Sequence, residues 1–402
     1  MRDFLPAEKA KRESVLGVIR GVYRSFGFQE VETPALENID RLQSGQGGDN
    51  EKLTYFVMKR NLELSDLEEW FLKPHTHSNR KSNFLNPFAA ADLGLRFDLT
   101  VPLTRFYATN RASLPAVFKA IQMGPVWRAE RPQKGRYRQF IQCDIDIIGD
   151  DSVLAEIELL TASLAALDAI GLESSVIRVN HRLLLAEVLD GLGVSEADRS
   201  SAMIIIDKLD KIEISGVVTE LTERFGEGVG NSAKSWLEGI STSSVPSVLE
   251  PLFEAVGSRL RFDPTLVRGM GYYTGTIFEI ELPGSGSAIG GGGRYDGMVG
   301  RWLGTDVPAV GISIGFERVV ELVEGVVPSA GVVLVLEDSS LDCIKKGLSF
   351  QKELIANGSL VRLEVRPKKL NILLDSLQSA GFSEFALVNS NTTVLELRAI
   401  GN

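Results

Sequence analysis

The sequence predicts an α+β protein: a domain built on an antiparallel sheet with flanking helices, a helical insertion, and a small α/β domain at the C-terminal end. Three observations carry this. "AVFKAIQMGPVWRAE" and "QFIQCDIDIIGD" both read as strands with Gly135 between them in "PQKGRYR", so they pair as a hairpin with a long charged tip. Residues from about 181 to 255 break into short helical pieces. Beyond residue 329, strand and helix patterns alternate. A chain of 402 residues has room for two or three domains and a sizeable core.

Each element follows from its local pattern. In residues 7–27, Val15, Leu16, Val18, Ile19, Val22 and Tyr23 can share one helical face. "GFQEVETPALE" gives a glycine break and a short strand ending at Pro34, and "QSGQGGDNEK" is a polar loop. "LTYFVMKR" alternates as a strand does. Residues 62–93 lack clean periodicity in their second half and read as a long surface excursion. "LGLRFDLTVPLTRFYAT" is a strand entering a helix through "DLTVP"; after the hairpin come an amphipathic helix at 152–171 and the strand "SSVIRVN". "RLLLAEVLDGLGV", "SAMIIIDKLDK", "GVVTELTERFG" and "SAKSWLEGI" make up the helical insertion. "TLVRGMGYYTGTIFEIELPG", "AIGGGGRYDGMVGRW" and "AVGISIGFERVVELVE" read as a strand, a Gly-rich turn, and a strand followed by a helix. A boundary falls near "EGVVPSAG", dividing residues 1–325 from 329–402. Past it, "GVVLVLE", a helix at 340–356, "LVRLEV", a helix at 367–380, "EFALVN" and "TTVLELRAI" alternate.

Composition excludes several classes. A net charge of −10 argues against a general nucleic-acid coat, but not against a local basic patch. The start, "MRDFLPAEKAKRESVLGVIR", lacks signal-peptide character, and no run of about 18 apolar residues exists, so no membrane span is expected. Cys143 and Cys343, the only cysteines, fit a reducing cytoplasm. Two distant cysteines and three histidines (His75, His77, His181) argue against a structural zinc site.

Against the acidic balance, "RAERPQKGRYRQF" gathers Arg128, Arg131, Lys134, Arg136 and Arg138 around one Glu130. Such a loop is often simply solvated, but arginine forks suit polyphosphate. On the next strand, Gln142, Asp144 and Asp146 share one face, and Ile141, Ile145 and Ile147 the other, as for a polar pocket or a wet strand face. "RGMGYYTG" and "GGGGRYDG" offer backbone that a ligand can approach closely. Neither has the spacing or context of a P-loop or a dinucleotide fingerprint. Arg318 sits just inside the helix of "GISIGFERVV" and can reach over the sheet. No Ser–His–Asp arrangement is legible, so positioning and charge stabilisation are the expected chemistry.

These segments, in this order, resemble class II aminoacyl-tRNA synthetases, and among them the histidyl-tRNA synthetases. "VETPALE" resembles motif 1, the dimer-interface segment; "VWRAERPQKGRYRQF" resembles motif 2; "GISIGFERVV" resembles motif 3. "MRDFLP", "LRFDLTVPL", "IQCDIDIIG", "RGMGYYTGTIFE" and "GGGGRYDG" resemble segments peculiar to the histidine enzymes. The similarity runs from residue 1 to roughly 390. It implies a class II catalytic domain, an anticodon-binding-like C-terminal domain, a cytoplasmic homodimer, and ligation of L-histidine to tRNA(His) using ATP and Mg²⁺. It further implies that Arg128, Glu130, Arg136 and Arg318 bind ATP. Asp98, Leu99, Thr100, Gln142, Asp146, Arg268, Tyr272 and Tyr273 would surround histidine, with Arg268 and Arg128 catalytic. Mg²⁺ would bridge phosphate oxygens, with no protein side chain assigned to it.

Three departures stand out: Gly271 where the family usually has an acidic residue, the length of the 62–93 excursion, and an early end to the C-terminal domain. Two other readings therefore stand beside the ligase. One is a catalytically silent paralogue that binds histidine as the regulatory subunit of ATP phosphoribosyltransferase. The other is a synthetase-like enzyme of another pathway.

Overall fold

The structure is a computed structural model; it describes residues 2–43, 53–63, 65, 90–130, 137–240, 244–268, 272–324 and 331–401. The "QSGQGGDNEK" loop, nearly all of the 62–93 excursion, Arg136, Gly271 and the 325–329 boundary lie outside these residues, apart from Gln43 of the loop. Two compact units form: Met1–Arg2 with Ile19–Leu322, and Asp3–Val18 with Val323–Asn402.

Strands of the first unit are β1 (Gln29–Glu30), β2 (Leu36–Asn38), β3 (Tyr55–Met58), β4 (Ala91–Leu95), β5 (Phe118–Trp127), β6 (Gln139–Ile148), β7 (Val176–His181), β8 (Leu260–Phe262), β9 (Thr276–Glu281), β10 (Gly290–Arg294) and β11 (Ala309–Gly315). The main sheet has the order β1-β5-β6-β11-β10-β9-β7-β8. Its interior pairings from β5 to β7 are all antiparallel, and β1 and β8 add parallel edges. The expected hairpin is present as β5 and β6, paired from Phe118↔Ile148 to Trp127↔Gln139. A smaller sheet, β2-β4-β3, stands beside the helix Ile39–Gln43.

The segment expected to be a Gly-rich turn is instead a central strand, β10, followed by the helix Asp296–Leu303. The reason is steric. A Cβ on Gly292 would lie 1.9 Å from the Gly311 carbonyl oxygen, and one on Gly290 would lie 2.6 Å from that of Ser313. Only glycine lets these strands pair so closely.

The stretch expected to be a helical insertion holds the helices Arg182–Gly191, Arg199–Ile206, Leu209–Phe225 and Glu227–Gly239, followed by Glu250–Val256. The first four share one core, including Leu185, Leu189, Ile206, Leu221 and Leu237. "SAMIIIDKLDK" does not form one helix: it breaks after Ile206, and Glu213 sits at φ 57° where the next helix kinks.

The second unit carries β12 (Gly331–Leu336), β13 (Val361–Val365), β14 (Phe382–Val388) and β15 (Arg398–Ala399), ordered β13-β12-β14-β15. Every residue of β12 is buried, as expected of a parallel strand covered on both faces. Val332, Leu334 and Leu336 pack with Cys343 and Phe350 of the helix Leu341–Ala356. Val333 and Val335 pack with Leu374 and Leu377 of the helix Leu370–Ser379. "TTVLELRAI" contributes only the two paired residues of β15.

Candidate active site

Register in the main sheet builds the site. From β7 across to β5, Arg178, Glu279, Gly291, Ser313, Asp144 and Gln122 stand opposite one another. A second row, two residues along each strand, holds Asn180, Ile277, Gly293, Gly311, Asp146 and Ala120. Residues two apart share a face, so both rows look the same way. Over them lies a cavity of about 580 Å³.

Asp98, Thr100, Arg128, Glu130, Gln142, Asp146, Arg268, Tyr272, Tyr273 and Arg318 all line that cavity. Leu99 is not among its lining residues; its carbonyl instead accepts a hydrogen bond from Gln122 Nε2 at 2.8 Å. Asp207, Glu279, Tyr295, Ser313 and Glu317 also face the cavity, and the sequence alone assigned none of them to the site; Asp144, which the sequence placed on a polar face with Gln142 and Asp146 but gave no role, faces it too. Asp144 carried a signal, the period-two alternation of its strand. Tyr295 and Glu279 carried none beyond their place in a glycine-rich and an apolar stretch.

One end of the cavity is rich in acceptors. Asp98 Oδ1 accepts from the Val101 amide at 3.1 Å, Tyr295 donates its hydroxyl to Asp146 Oδ1 at 2.5 Å, and Gln142 Nε2 donates to Asp144 Oδ2 at 3.3 Å. Asp98 Oδ2, Asp144 Oδ1, Asp146 Oδ2 and Gln142 Oε1 are buried with no hydrogen-bond partner. Burial pushes Asp98 up to about 6 against the pull of the Val101 amide and Arg128. Burial pushes Asp146 up to about 7, opposed by the Tyr295 hydroxyl and aided by Asp98. Asp144 is raised well above the ordinary carboxylate range, first by burial and then by Asp146. Four acceptors without donors call for a ligand that brings N–H groups, preferably charged ones.

Glycines make room for this end. A Cβ on Gly311 would fall 1.9 Å from Asp146 Oδ1, and one on Gly293 would fall 2.8 Å from Tyr273 Cδ1. Tyr272 meets Tyr273 edge-on at 4.8 Å and Tyr295 at 6.2 Å, forming an aromatic wall.

The other components are cationic. Arg128 donates through Nε to the Phe97 carbonyl at 3.0 Å and lies over the Phe140 ring at 5.0 Å. Its amide donates to the Arg138 carbonyl at 2.8 Å, closing the base of the hairpin tip. Arg318 donates to the Ala288 carbonyl. Arg268 stands at φ 58°, a region that non-glycine residues enter at a cost. Its Nη1 donates to Glu279 Oε2 at 2.9 Å, and its Nε is buried without a partner. Burial opposes the Arg268 charge, but Tyr273 and Glu279 outweigh it and hold the guanidinium protonated. Acceptors at one end and fixed cations beside them suit a zwitterion whose carboxylate is to meet another anion. Among the described residues no group of three or more His, Cys, Asp or Glu side chains is placed to hold a metal ion.

Comparison with known proteins identifies the family and the fold. The family model for histidyl-tRNA synthetase matches residues 1–66 and 61–319. A histidine–tRNA ligase of Leifsonia xyli subsp. xyli is 51% identical, over 99% of this chain and 96% of its own. A probable histidine–tRNA ligase of Tropheryma whipplei (strain Twist) is 40% identical, over 96% and 93%. The crystal structure of histidyl-tRNA synthetase from Nostoc sp. PCC 7120 superposes with a TM-score of 0.78 at 26% identity, covering 99% of this chain and 93% of that one. An ATP phosphoribosyltransferase regulatory subunit/histidyl-tRNA synthetase from Bacillus halodurans C shares the fold, with a TM-score of 0.74 at 19% identity, covering 98% and 97%.

Proposed function

The chain belongs to the histidyl-tRNA synthetase family, and we propose on that premise that it is a histidine–tRNA ligase: it activates L-histidine with ATP and passes the histidyl group to tRNA(His). The observation that carries the reading is the set of buried, unpartnered acceptors on Asp98, Asp144, Asp146 and Gln142 beside Arg128 and Arg268. The ammonium and the imidazole N–H of histidine supply donors for them. An amino acid without those donors leaves buried acceptors unpaired, which costs selectivity ratios of roughly 10⁴–10⁵ in sites built this way.

In the first step the histidine carboxylate attacks the α-phosphorus of ATP, forming the acyl–phosphate bond and releasing pyrophosphate. Two anions must approach each other, so the barrier falls where cations are already fixed. Arg128 and Arg268 take that role, and Arg318 and Arg136 hold the nucleotide's phosphates. Glu130 faces the same cavity and takes the adenine. Mg²⁺ accompanying ATP would supply further positive charge at the leaving pyrophosphate, and no side chain of this chain is assigned to hold it. In the second step a terminal tRNA hydroxyl attacks the histidyl carbonyl and AMP leaves. No helix among the described residues is long and apolar enough to cross a membrane. A cytoplasmic location is proposed on the family resemblance alone. The small sheet exposes Leu36, Phe56 and Met58, apolar surface that a second copy would cover in a homodimer.

The regulatory reading and that of a synthetase-like enzyme of another pathway are not favoured. Near-full-length identity of 51% is to a ligase, whereas the relative named for a regulatory subunit is 19% identical and shows the fold alone. The deciding assay is AMP release with ATP–Mg²⁺, each of several amino acids, and tRNA. Histidine alone should support continuous AMP formation, and only with tRNA present. No AMP above background, or turnover with another amino acid, overturns the reading.

A further inference from the structure

The Arg268 guanidinium is held in an unfavourable backbone setting, and the structure shows what holds it. Glu279 accepts from Arg268 Nη1 at 2.9 Å through Oε2 and from Arg178 Nη1 at 3.1 Å through Oε1. One carboxylate thus bridges two arginines. Arg178 is anchored in turn: Nε and Nη2 both meet Asp263 Oδ2, at 2.7 and 2.5 Å. Asp263 Oδ1 is occupied by the amide and hydroxyl of Thr265, at 2.9 and 2.6 Å. Arg178 and Glu279 are direct partners across β7 and β9, and Glu279 faces Gly291 across β9 and β10. A Cβ on Gly291 would lie 2.7 Å from Arg268 Cζ, so the guanidinium rests on bare backbone, with Glu279 fixing one edge.

We propose that Glu279 and Arg178 are positioning residues for amino-acid activation: Glu279 orients Arg268 toward the reacting carboxylate and phosphate, and Arg178 holds Glu279 in place. The proposal rests on the role given to Arg268 above. Side-chain exposures of 12% for Arg178, 14% for Asp263 and 19% for Glu279 keep this chain of ion pairs from being screened away. A further carboxylate on Arg178, Asp210, is 78% exposed and 3.5 Å distant, so solvent screening leaves it a minor contributor. Glu279 borders the cavity, but both of its carboxylate oxygens are engaged by arginines, so the role proposed for it runs through Arg268.

Acting through another residue has a signature in a double-mutant cycle. Histidine-dependent ATP–pyrophosphate exchange is measured for Arg268→Ala, Glu279→Gln, Arg178→Gln and each pairing with Arg268→Ala. A guanidinium misplaced by about 1 Å costs on the order of 10²-fold, so Glu279→Gln should lower kcat on the order of 10–100-fold, with KM for histidine changed less than about threefold. Arg178→Gln should do the same more weakly. In the Arg268→Ala background both should add less than about twofold. If Glu279→Gln does not fold, as its thermal melt will tell, Glu279→Asp replaces it in the cycle with the same expectation. Full additivity, or a loss confined to KM, overturns the positioning role and leaves Arg268 untouched. A harmless Arg268→Ala overturns the role of Arg268 and this proposal with it.

Discussion

Asp146 is asked to do two things that conflict. Its carboxylate must be charged to pair with an ammonium, yet burial raises it to about 7 in the ligand-free pocket. The folded protein therefore keeps a proton that the unfolded chain gives up near the ordinary Asp value of about 3.9. For an acid raised by folding, stability falls as pH climbs from the unfolded pKa to the folded one, then stays lowered. Asn cannot ionise, so the ligand-free Asp146→Asn protein should melt above wild type at pH 8. That gap should shrink as the pH drops toward 4. A gap that is the same at both pH values would mean that Asp146 ionises as readily folded as unfolded. The gain in stability comes with lost recognition. A hydrogen bond to a charged group is worth about 1.5–3 kcal/mol, so KM for histidine should rise on the order of tenfold or more. Asp98, raised to about 6, should show the same pattern in a narrower pH range.

At the scale of elements, the glycine strand β10 and its neighbour β11 decide which substitutions break the sheet and which break the site. A Cβ on Gly292 meets only backbone, with the Gly311 oxygen at 1.9 Å and Ile312 Cα at 2.6 Å, and backbone in mid-sheet cannot step aside. One on Gly311 meets side chains instead: Asp146 Oδ1 and Cγ, then Tyr295 Cε1 at 3.2 Å. Gly292→Ala should therefore destabilise the protein by at least the 1–3 kcal/mol typical of overpacking. Gly311→Ala should fold but displace the Asp146 carboxylate, raising KM for histidine on the order of tenfold or more through the contact described above. Melting curves beside exchange kinetics check both, and a Gly311→Ala enzyme with unchanged KM would show that the pocket yields at no cost. The same strands mark the limit of what the sequence disclosed. The hairpin was legible because Gln142, Asp144 and Asp146 alternate with isoleucines. β12 was legible as a continuous apolar run. A run of four glycines has no side chains with which to announce a face, so β10 looked like a turn. Its assignment depends on how close β9 and β11 come, which no local pattern encodes. Glu279 and Tyr295 escaped for a related reason: each becomes part of the site only through register with a strand distant in sequence.

At the scale of the whole molecule, the division into units falls at Leu322–Val323, three residues from the expected end of the first domain at 325. What the sequence did not disclose is that Asp3–Val18 belongs with the C-terminal residues, although the helix Pro6–Ser25 runs on into the first unit. Amphipathic periodicity shows that a helix has an apolar face but not what covers it. All the lining residues of the cavity lie between Leu53 and Arg318, within the first unit. A chain ending at Leu322 should therefore keep histidine-dependent pyrophosphate exchange within about tenfold of the full chain, taking about 1.4 kcal/mol as the tolerated loss. Its tRNA charging should fall much further if the second unit serves to hold tRNA, as an anticodon-binding-like domain would. Unchanged charging would mean that the second unit has another task. Exchange lost in a chain that still melts cooperatively would mean that the site needs the second unit for its own chemistry.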